Sequence, residues 1–544
     1  MTTDVLIYGG GAGGICAAIQ AARLGARVLV VEPTSWVGGM LTAAGVSALD
    51  GNKHALGGGL VHTFRSRLAD HYGSLDALHT GWISLYCYEP RVGHRILRDL
   101  AEAEPTLTLW MQSEVVAYTR RGSRERTVQV RRADGGVQAV SCAVFVDATE
   151  YGDGLALAGL PYRLGREARD DLGESAAPER ADQEIQDLTY VATLVHEHDP
   201  ARRHVPEVTD ADRAYWAWFD CSTRERCSKP DRDALDHDLH DWESFLSYGL
   251  LPNGKFMLNW PHHANDFPAV PALYEDRYVR RQYLAAARLH TLQYVKYLQT
   301  ALGHPEWQLA TDEYPTPDHL PLIPYIRESR RLVNAHVMRQ DDVVPRPGML
   351  RAPRVLDAIA VGDYFLDHHH AKAFLPPGER LEEAYPDNAP FQVPVTVVLT
   401  EDDPCFLAGE KNIAVSHIVN GCTRLQPVVM LMGQAIGALA ALAVAQGVEP
   451  GAVSVETVQD VLIDAGCQIY PVYDVPPGHP LFRVVQDLAR RGILREEDPL
   501  YLEPEAPLSP RQARIWAERA GLSVPEAAEP GTCGAFLAHL HAAR

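Results

Sequence analysis

The chain has 544 residues, more than one core usually encloses, so at least two domains are expected. Hydrophobic residues make up 46% and charged residues 22%, ordinary values for a globular protein. The formal net charge of −21 argues against a nucleic-acid partner, which would need a basic face, and suits solubility instead.

Met1-Thr2-Thr3-Asp4 leads straight into the apolar run Val5–Tyr8, which leaves no room for a secretory n-region and cleavage site. That run reads as a buried parallel strand. Gly9, Gly11 and Gly14 follow in G-x-G-x-x-G spacing, with Ala12 and Gly13 between them. An Ala-rich helix from Ile15 to Leu24 stops at Gly25, and Val28–Val31 forms a second buried strand ending in Glu32 and Pro33. Gly9 allows the tight turn, Gly11 lets a pyrophosphate approach the backbone, and Gly14 lets helix and strand pack closely. The helix N-terminus offers N–H groups and a partial positive charge to phosphate. Glu32, eighteen residues beyond Gly14, is placed to accept hydrogen bonds from ribose hydroxyls. A Gly-rich turn in an unrelated α/β protein would leave Glu32 unexplained.

The next stretch, Val37-Gly38-Gly39-Met40-Leu41-Thr42, resembles the turn that follows the acid in a large flavoprotein group. More narrowly, the chain resembles the FAD-dependent oxidoreductases whose distant relatives include the fumarate reductase and succinate dehydrogenase flavoproteins. The resemblance implies that FAD is the cofactor and that this turn runs along it.

A glycine-dense loop with His54 precedes a helix over Leu60–Tyr72, which carries His62. In some relatives a histidine is joined covalently to the flavin, but the residues around these two do not match those relatives. Pro90–Ala103 reads as a helix. Thr106–Ala117, Thr127–Arg132 and Val137–Val140 read as strands. In flavoproteins of this architecture such a small sheet, which includes Val115, crosses beneath the cofactor. Cys142–Glu150 is a buried strand ending in Asp147-Ala148-Thr149-Glu150, followed by Tyr151-Gly152-Asp153-Gly154. The sequence Asp-Ala-Thr, Gly-Asp, Ala-Gly and Gly-Arg-Glu again resembles the family, and implies that Ala148 and Thr149 pack on FAD near Asp153. A plain strand–turn–helix is the alternative.

From Arg169 to about Asp312 the texture is charged and rich in Trp, Tyr and His, and reads as an inserted substrate or cap domain. Lys255–Trp260 is expected to be a strand, and Arg277–Leu302 an amphipathic helix. His262, His263 and Asp266 lack a fixed ligand spacing, so they read as a polar cavity wall and no metal is assigned. The run His368-His369-His370 reads as a solvated helix end.

Arg327-Glu328-Ser329-Arg330-Arg331 also resembles the family. Guanidinium groups offer planar bidentate donors to a carboxylate or to the flavin's pyrimidine edge, so Arg327 and Arg330 are candidate site residues. An ion-pair knot joining cap to core is the equal alternative.

Pro394–Leu399 and Asn412–His417 read as strands, the second being the last parallel one. Val428–Gln446 reads as a long apolar helix starting near Pro427. The resemblance extends here and points the helix's positive end at the flavin, with Arg424 and Pro427 at that end and Gly433 and Gln434 within it. The tail, with helices at Leu481–Arg491 and from Arg511, loosely resembles one surface-layer repeat; a helical appendage on the core is the preferred reading.

The expected architecture is thus α/β: a Rossmann-like FAD-binding domain with a parallel sheet (1–165, returning at 391–450), an inserted α+β cap (166–390) and a C-terminal helical region (451–544). The expected activity is FAD-dependent hydride transfer between a small organic substrate and flavin N5. A non-redox flavin reaction, or a carbohydrate or cell-wall binding role, is the alternative. His417 and His62 are the candidate proton-transfer residues. The electron partner is open, as is homo-oligomerisation. No run is expected to reach the ~20 apolar residues of a membrane helix. Nine scattered cysteines without C-x-x-C are expected to be reduced, in a cytoplasmic protein.

Overall fold

The structure, a computed structural model, describes residues 1–51, 57–122, 125–210, 242–259, 265–370, 384–522 and 531–543. Strand β1 (Val5–Tyr8) is buried throughout, and Gly9 turns the chain at φ +96° into helix α1 (Ala12–Arg23). Strand β2 (Val28–Val31) returns parallel to β1. After helices α2 (Gly59–Tyr72) and α3 (Pro90–Glu102), β3 (Leu107–Trp110) extends the sheet beside β2. The chain then leaves for an antiparallel ladder, β4 (Glu114–Arg121), β5 (Glu125–Arg131) and β6 (Val137–Cys142), and comes back as β7 (Val144–Asp147) on the other flank of β1.

The strand expected over Thr106–Ala117 is therefore two strands in two sheets. Gln112, at φ +49°, breaks it, and an alternating pattern carries no mark of which sheet a strand joins.

The segment 166–390, expected to be a cap and so labelled below, carries two antiparallel sheets. In one, Ile185–Thr189 lies between Asp266–Ala269 and Tyr325–Ile326; in the other, Ala192–His196 pairs with Lys255–Leu258 and Trp307–Leu309. Helix α4 (Arg277–Thr300) covers them, its first turn capped by the Asp276 carboxylate, which accepts from the Tyr278 and Val279 N–H groups. Cap and core are stitched by Arg331–Leu332 pairing with Tyr162–Arg163, and Ala358–Gly362 pairs with Phe391–Pro394 across the expected boundary at 390.

Strand β8 (Phe406–Ala408) completes the parallel sheet in the order β8-β7-β1-β2-β3. It replaces Asn412–His417 as the last parallel strand. Asn412 instead spends its side-chain amide on the Asp147 carbonyl (3.0 Å) and accepts from the Glu410 N–H (3.0 Å), which holds a loop. Likewise the strand ending at Pro394 gives way to a 3-10 turn over Val395–Val398. Helix α5 (His417–Thr423) then leads to α6 (Gln426–Gln446).

Helix α6 overturns one expectation. By length and composition it could cross a membrane, with a mean hydropathy of 2.2, yet 83% of that window is buried inside the protein. It lies against α1 because both helices are stripped of side chains where they meet: a Cβ at Gly433 would fall 2.2 Å from the Gly13 carbonyl oxygen, and one at Gly437 2.2 Å from that of Ala17.

The C-terminal region is helical (Val455–Asp464, Phe482–Arg490, Pro510–Arg519, Cys533–Ala542) and is tied to the core by buried Arg351, which donates to the Pro471 and Pro499 carbonyls, each at 2.8 Å.

Candidate active site

The crevice at the carboxyl ends of β1, β2, β7 and β8 follows from local chemistry. Glu32 accepts from the Gly10 N–H (2.6 Å) and the Thr34 N–H (2.7 Å), which fixes its carboxylate while leaving acceptor lone pairs. Gly38, at φ +108°, donates to the Gly10 carbonyl (2.7 Å), so the Gly38–Thr42 turn is clamped to the glycine turn. Met40 and Leu41 are buried beneath it, whereas Pro33 is exposed. Asp147, fully buried, accepts from the Thr149 N–H (3.1 Å), the Thr149 hydroxyl (2.8 Å) and the Leu155 N–H (2.9 Å), which shapes the Ala148-Thr149 turn.

The residues present suit a flavin dinucleotide. The N-cap of α1, Gly11, brings no side chain to the helix end, and the first turn carries no acid. Glu150 Oε1 is buried without a hydrogen-bond partner among the described residues and faces the space beside Gly11 and Gly39. A ligand hydroxyl there would satisfy it. Glu32 and Glu150 would thus accept from ligand hydroxyls, and the glycine turn and α1 would hold the diphosphate.

A second acid went unread in the sequence. Glu410 follows Gly409 at the end of β8 and accepts from the Gly13 N–H (2.8 Å). Lys411, fully buried, pairs with Glu150 and with Glu410 Oε1 (3.1 Å). Burial, only partly offset by Lys411, pushes the Glu410 carboxyl up to about 7. A diphosphate beside it favours the protonated form. FAD bound there would therefore take up a proton, and affinity is expected to fall as pH rises through about 7. Fluorescence titration of apoprotein at pH 6 and pH 8 is expected to show tighter binding at the lower pH. Glu410→Gln is expected to flatten the difference, and an equal dependence in that variant would refute the assignment.

Beyond the crevice, between core and cap, lies a cavity of ≈ 510 Å³. It reaches Val46 and Asp50, just past the Gly38–Thr42 turn, and Gln426 at the N-terminus of α6. Asp50 is pushed up to about 7 by burial and by repulsion from Asp367. Arg327 also lines the cavity; it donates to the Asp187 carbonyl (2.9 Å) and Thr189 Oγ1 (2.8 Å) and pairs with Asp266 (3.1 Å). Arg424 pairs with Asp367 (2.7 Å) and donates to the Tyr325 hydroxyl (2.5 Å).

The other candidates fall elsewhere. Arg330 is not among the residues lining this cavity: it donates to the Tyr151 carbonyl (2.9 Å) and pairs with Asp153 (2.8 Å), which Arg280 also holds (2.7 Å). These contacts hold Asp153 down to about 2 against its burial. Arg331 is buried against Glu328 (2.9 Å) and Glu167, so this half of the Arg-Glu-Ser-Arg-Arg block is an ion-pair knot. His417 bonds Glu328 through Nδ1 (3.0 Å) and lines a separate cavity of ≈ 280 Å³. His62 is exposed on α2 beside Arg65 (2.9 Å). Gln434 bridges α2 and α1, accepting from the Leu60 N–H (2.7 Å) and donating to Gln20 Oε1 (2.9 Å); Val115 is buried in the β4 ladder. His54, His262 and His263 lie outside the described residues.

The histidine run corrects the reading of a solvated helix end. His369 and His370 are only 8% and 4% exposed, and His369 lines the cavity. Its Nδ1 meets Asp266 Oδ2 (2.8 Å), and its Nε2 lies 3.4 Å from Asp367 Oδ2. Burial and Arg327 lower its pKa, but Asp367 and Asp266 outweigh them and raise it. The sequence signal was Asp367 two residues before His369; the partner that orients the ring, Asp266, comes from a distant strand.

A parallel sheet with a glycine turn at its carboxyl edge, an acid at the end of β2 and an adjoining cavity is the arrangement of a dinucleotide-binding fold. Residues 4–462 match the FAD dependent oxidoreductase family, and the chain belongs to it. No curated protein matches the sequence. Solved structures with partial similarity include p-nitrophenol 4-monooxygenase PnpA from Pseudomonas putida DLL-E4 (12% identity, 36% of this chain and 48% of that one, TM-score 0.24). Others are OxyS anhydrotetracycline hydroxylase from Streptomyces rimosus (20%, 37% and 39%, 0.23) and L-proline dehydrogenase from P. horikoshii (16%, 31% and 25%, 0.18). The chain thus spans less than half the length of each.

Proposed function

We propose that the enzyme transfers a hydride between a small organic substrate and N5 of its FAD. The observation that carries this is the cavity's reach: one enclosure of ≈ 510 Å³ touches both the segment that leaves the Gly38–Thr42 turn and the amino end of α6. A substrate held there would lie beside the Gly38–Thr42 turn, which by its resemblance is expected to run along the flavin. Bound FAD supplies a two-electron acceptor. The chain's own part is to hold the substrate, exclude water between cap and core, and move a proton at Asp50 or His369, both of which line the cavity. The positive end of α6 favours negative charge developing next to it.

The kinship we infer with fumarate reductase and succinate dehydrogenase flavoproteins rests on the Gly-Gly-Met turn and the Arg-Glu-Ser-Arg-Arg block.

The purified protein is expected to be yellow, and anaerobic mixing with its substrate class is expected to bleach the flavin. A preparation that takes up no FAD, or turnover with no change in the flavin spectrum, would refute this reading.

A further inference from the structure

The cavity wall points to a substrate class. The Nη groups of its two guanidiniums are already engaged, those of Arg327 with Asp187, Thr189 and Asp266 and those of Arg424 with Tyr325 and Asp367, which leaves each only its Nε without a partner among the described residues. Neither presents a free fork to a substrate carboxylate. The acids are similarly moderated. Asp367 is paired with Arg424, Asp363 accepts from the Tyr473 hydroxyl (2.6 Å), and Asp50 has its charge opposed by burial. Uncharged hydrogen-bonding groups share the wall with these ions. Asn259 Oδ1 is buried without a partner among the described residues, and the Asn388 and Gln426 amides share the wall.

The rim is aromatic. Trp82 and Phe365 line the cavity yet are 41% and 47% exposed. Phe365 is held by stacking on Tyr364, with centroids 4.3 Å apart, and Trp82 by an edge contact with Tyr248 at 5.0 Å. Large rings are costly to leave in water, and two on the wall of one cavity suit a ligand with an apolar face. A ligand with C–H faces and hydroxyl edges, and no net charge, matches rim and wall together.

We propose that the cavity binds a sugar or other cyclic polyol, and that His369 is the base for its oxidation. This rests on the hydride reading above. Asp266, itself pinned by Arg327 and by the Thr189 hydroxyl, holds His369 Nδ1–H and so leaves Nε2 as the acceptor once the ring is neutral. Bound FAD would supply the two-electron acceptor: the carbinol hydrogen would leave with the C–H electron pair as hydride, the O–H proton would go to Nε2, and the carbon–oxygen double bond of a ketone or aldehyde would form. Asp367, 3.4 Å from Nε2, receives the resulting N–H.

The test uses the FAD-loaded enzyme with glucose and myo-inositol, and with benzylamine and succinate as charged competitors. Binding is read by calorimetry and flavin bleaching by stopped flow. The polyols are expected to bind and bleach, and the charged pair to do neither. Trp82→Ala and Phe365→Ala, at exposed positions, are expected to weaken polyol binding about 10-fold. His369→Gln is expected to keep its flavin spectrum and bind within about 3-fold of wild type while bleaching at least about 100-fold more slowly. Wild-type bleaching by His369→Gln, or unaltered binding in both rim variants, would overturn the proposal. If an amine or carboxylate bleaches the flavin and polyols do not bind, this inference fails and the hydride reading stands. If polyols bind but nothing bleaches the flavin, the hydride reading fails and the binding site stands.

Discussion

Replacing Gly14 by alanine is expected to yield a colourless protein less stable by about 3 kcal/mol. A Cβ there would fall 2.1 Å from the Gly9 carbonyl oxygen and 2.8 Å from Ala148 Cβ. The first is backbone and the second a methyl fixed to backbone, so no side-chain rotation relieves the clash. The helix must lift from β1, and the turn that would hold the diphosphate moves with it. Gly25→Ala is the control. It also has positive φ, +88°, but no atom lies within 4 Å, so it is expected to cost about 1 kcal/mol and retain FAD. Denaturant unfolding and the flavin-to-protein absorbance ratio check both. A yellow Gly14→Ala protein of wild-type stability would refute the close helix–strand packing.

Glu328→Gln is expected to cost about 3 to 5 kcal/mol near neutral pH. Glu328 is fully buried, pairs with Arg331 Nε (2.9 Å) and His417 Nδ1 (3.0 Å), and accepts from the Gln186 N–H (3.1 Å). Removing its charge leaves the buried Arg331 guanidinium under-compensated. Burial alone would raise its pKa, but His417 and Arg331 reverse that and hold it down to about 2, against an ordinary 4.5. The folded state therefore binds fewer protons than the unfolded chain between those values. The stabilisation is complete above about 4.5 and is lost as pH falls towards 2. The gap between wild type and Glu328→Gln should consequently narrow from pH 7 to pH 3 in denaturant titrations. A gap independent of pH would show that the carboxylate is not held charged by its neighbours.

The same block shows how far sequence reading reaches. Arg327-Glu328-Ser329-Arg330-Arg331 was legible as guanidiniums around a carboxylate, but not which of them meets a substrate. The two strands flanking it decide that: Tyr325–Ile326 pairs into the cap and leaves Arg327 at the cavity, while Arg331–Leu332 pairs with Tyr162–Arg163 and draws Arg331 into the knot. Thr106–Ala117 was legible as extended but not as two strands, since register with β2 or β5 is a partner's property. Helix α6 was legible as apolar, and its burial became clear only with α1 against it.

From its sequence alone the chain's FAD half is determined, from the glycine turn through Glu32 to the Gly38–Thr42 turn. Strand, turn, helix and acid there interact with near neighbours, and each imposes its residue type at a short, countable spacing. The tertiary structure alone decided the cavity, because Asp50, Arg327, His369 and Arg424 belong to separate segments of core and cap. Their meeting depends on sheet order and on cap–core ion pairs, and side chains that converge only in space leave no period along the chain.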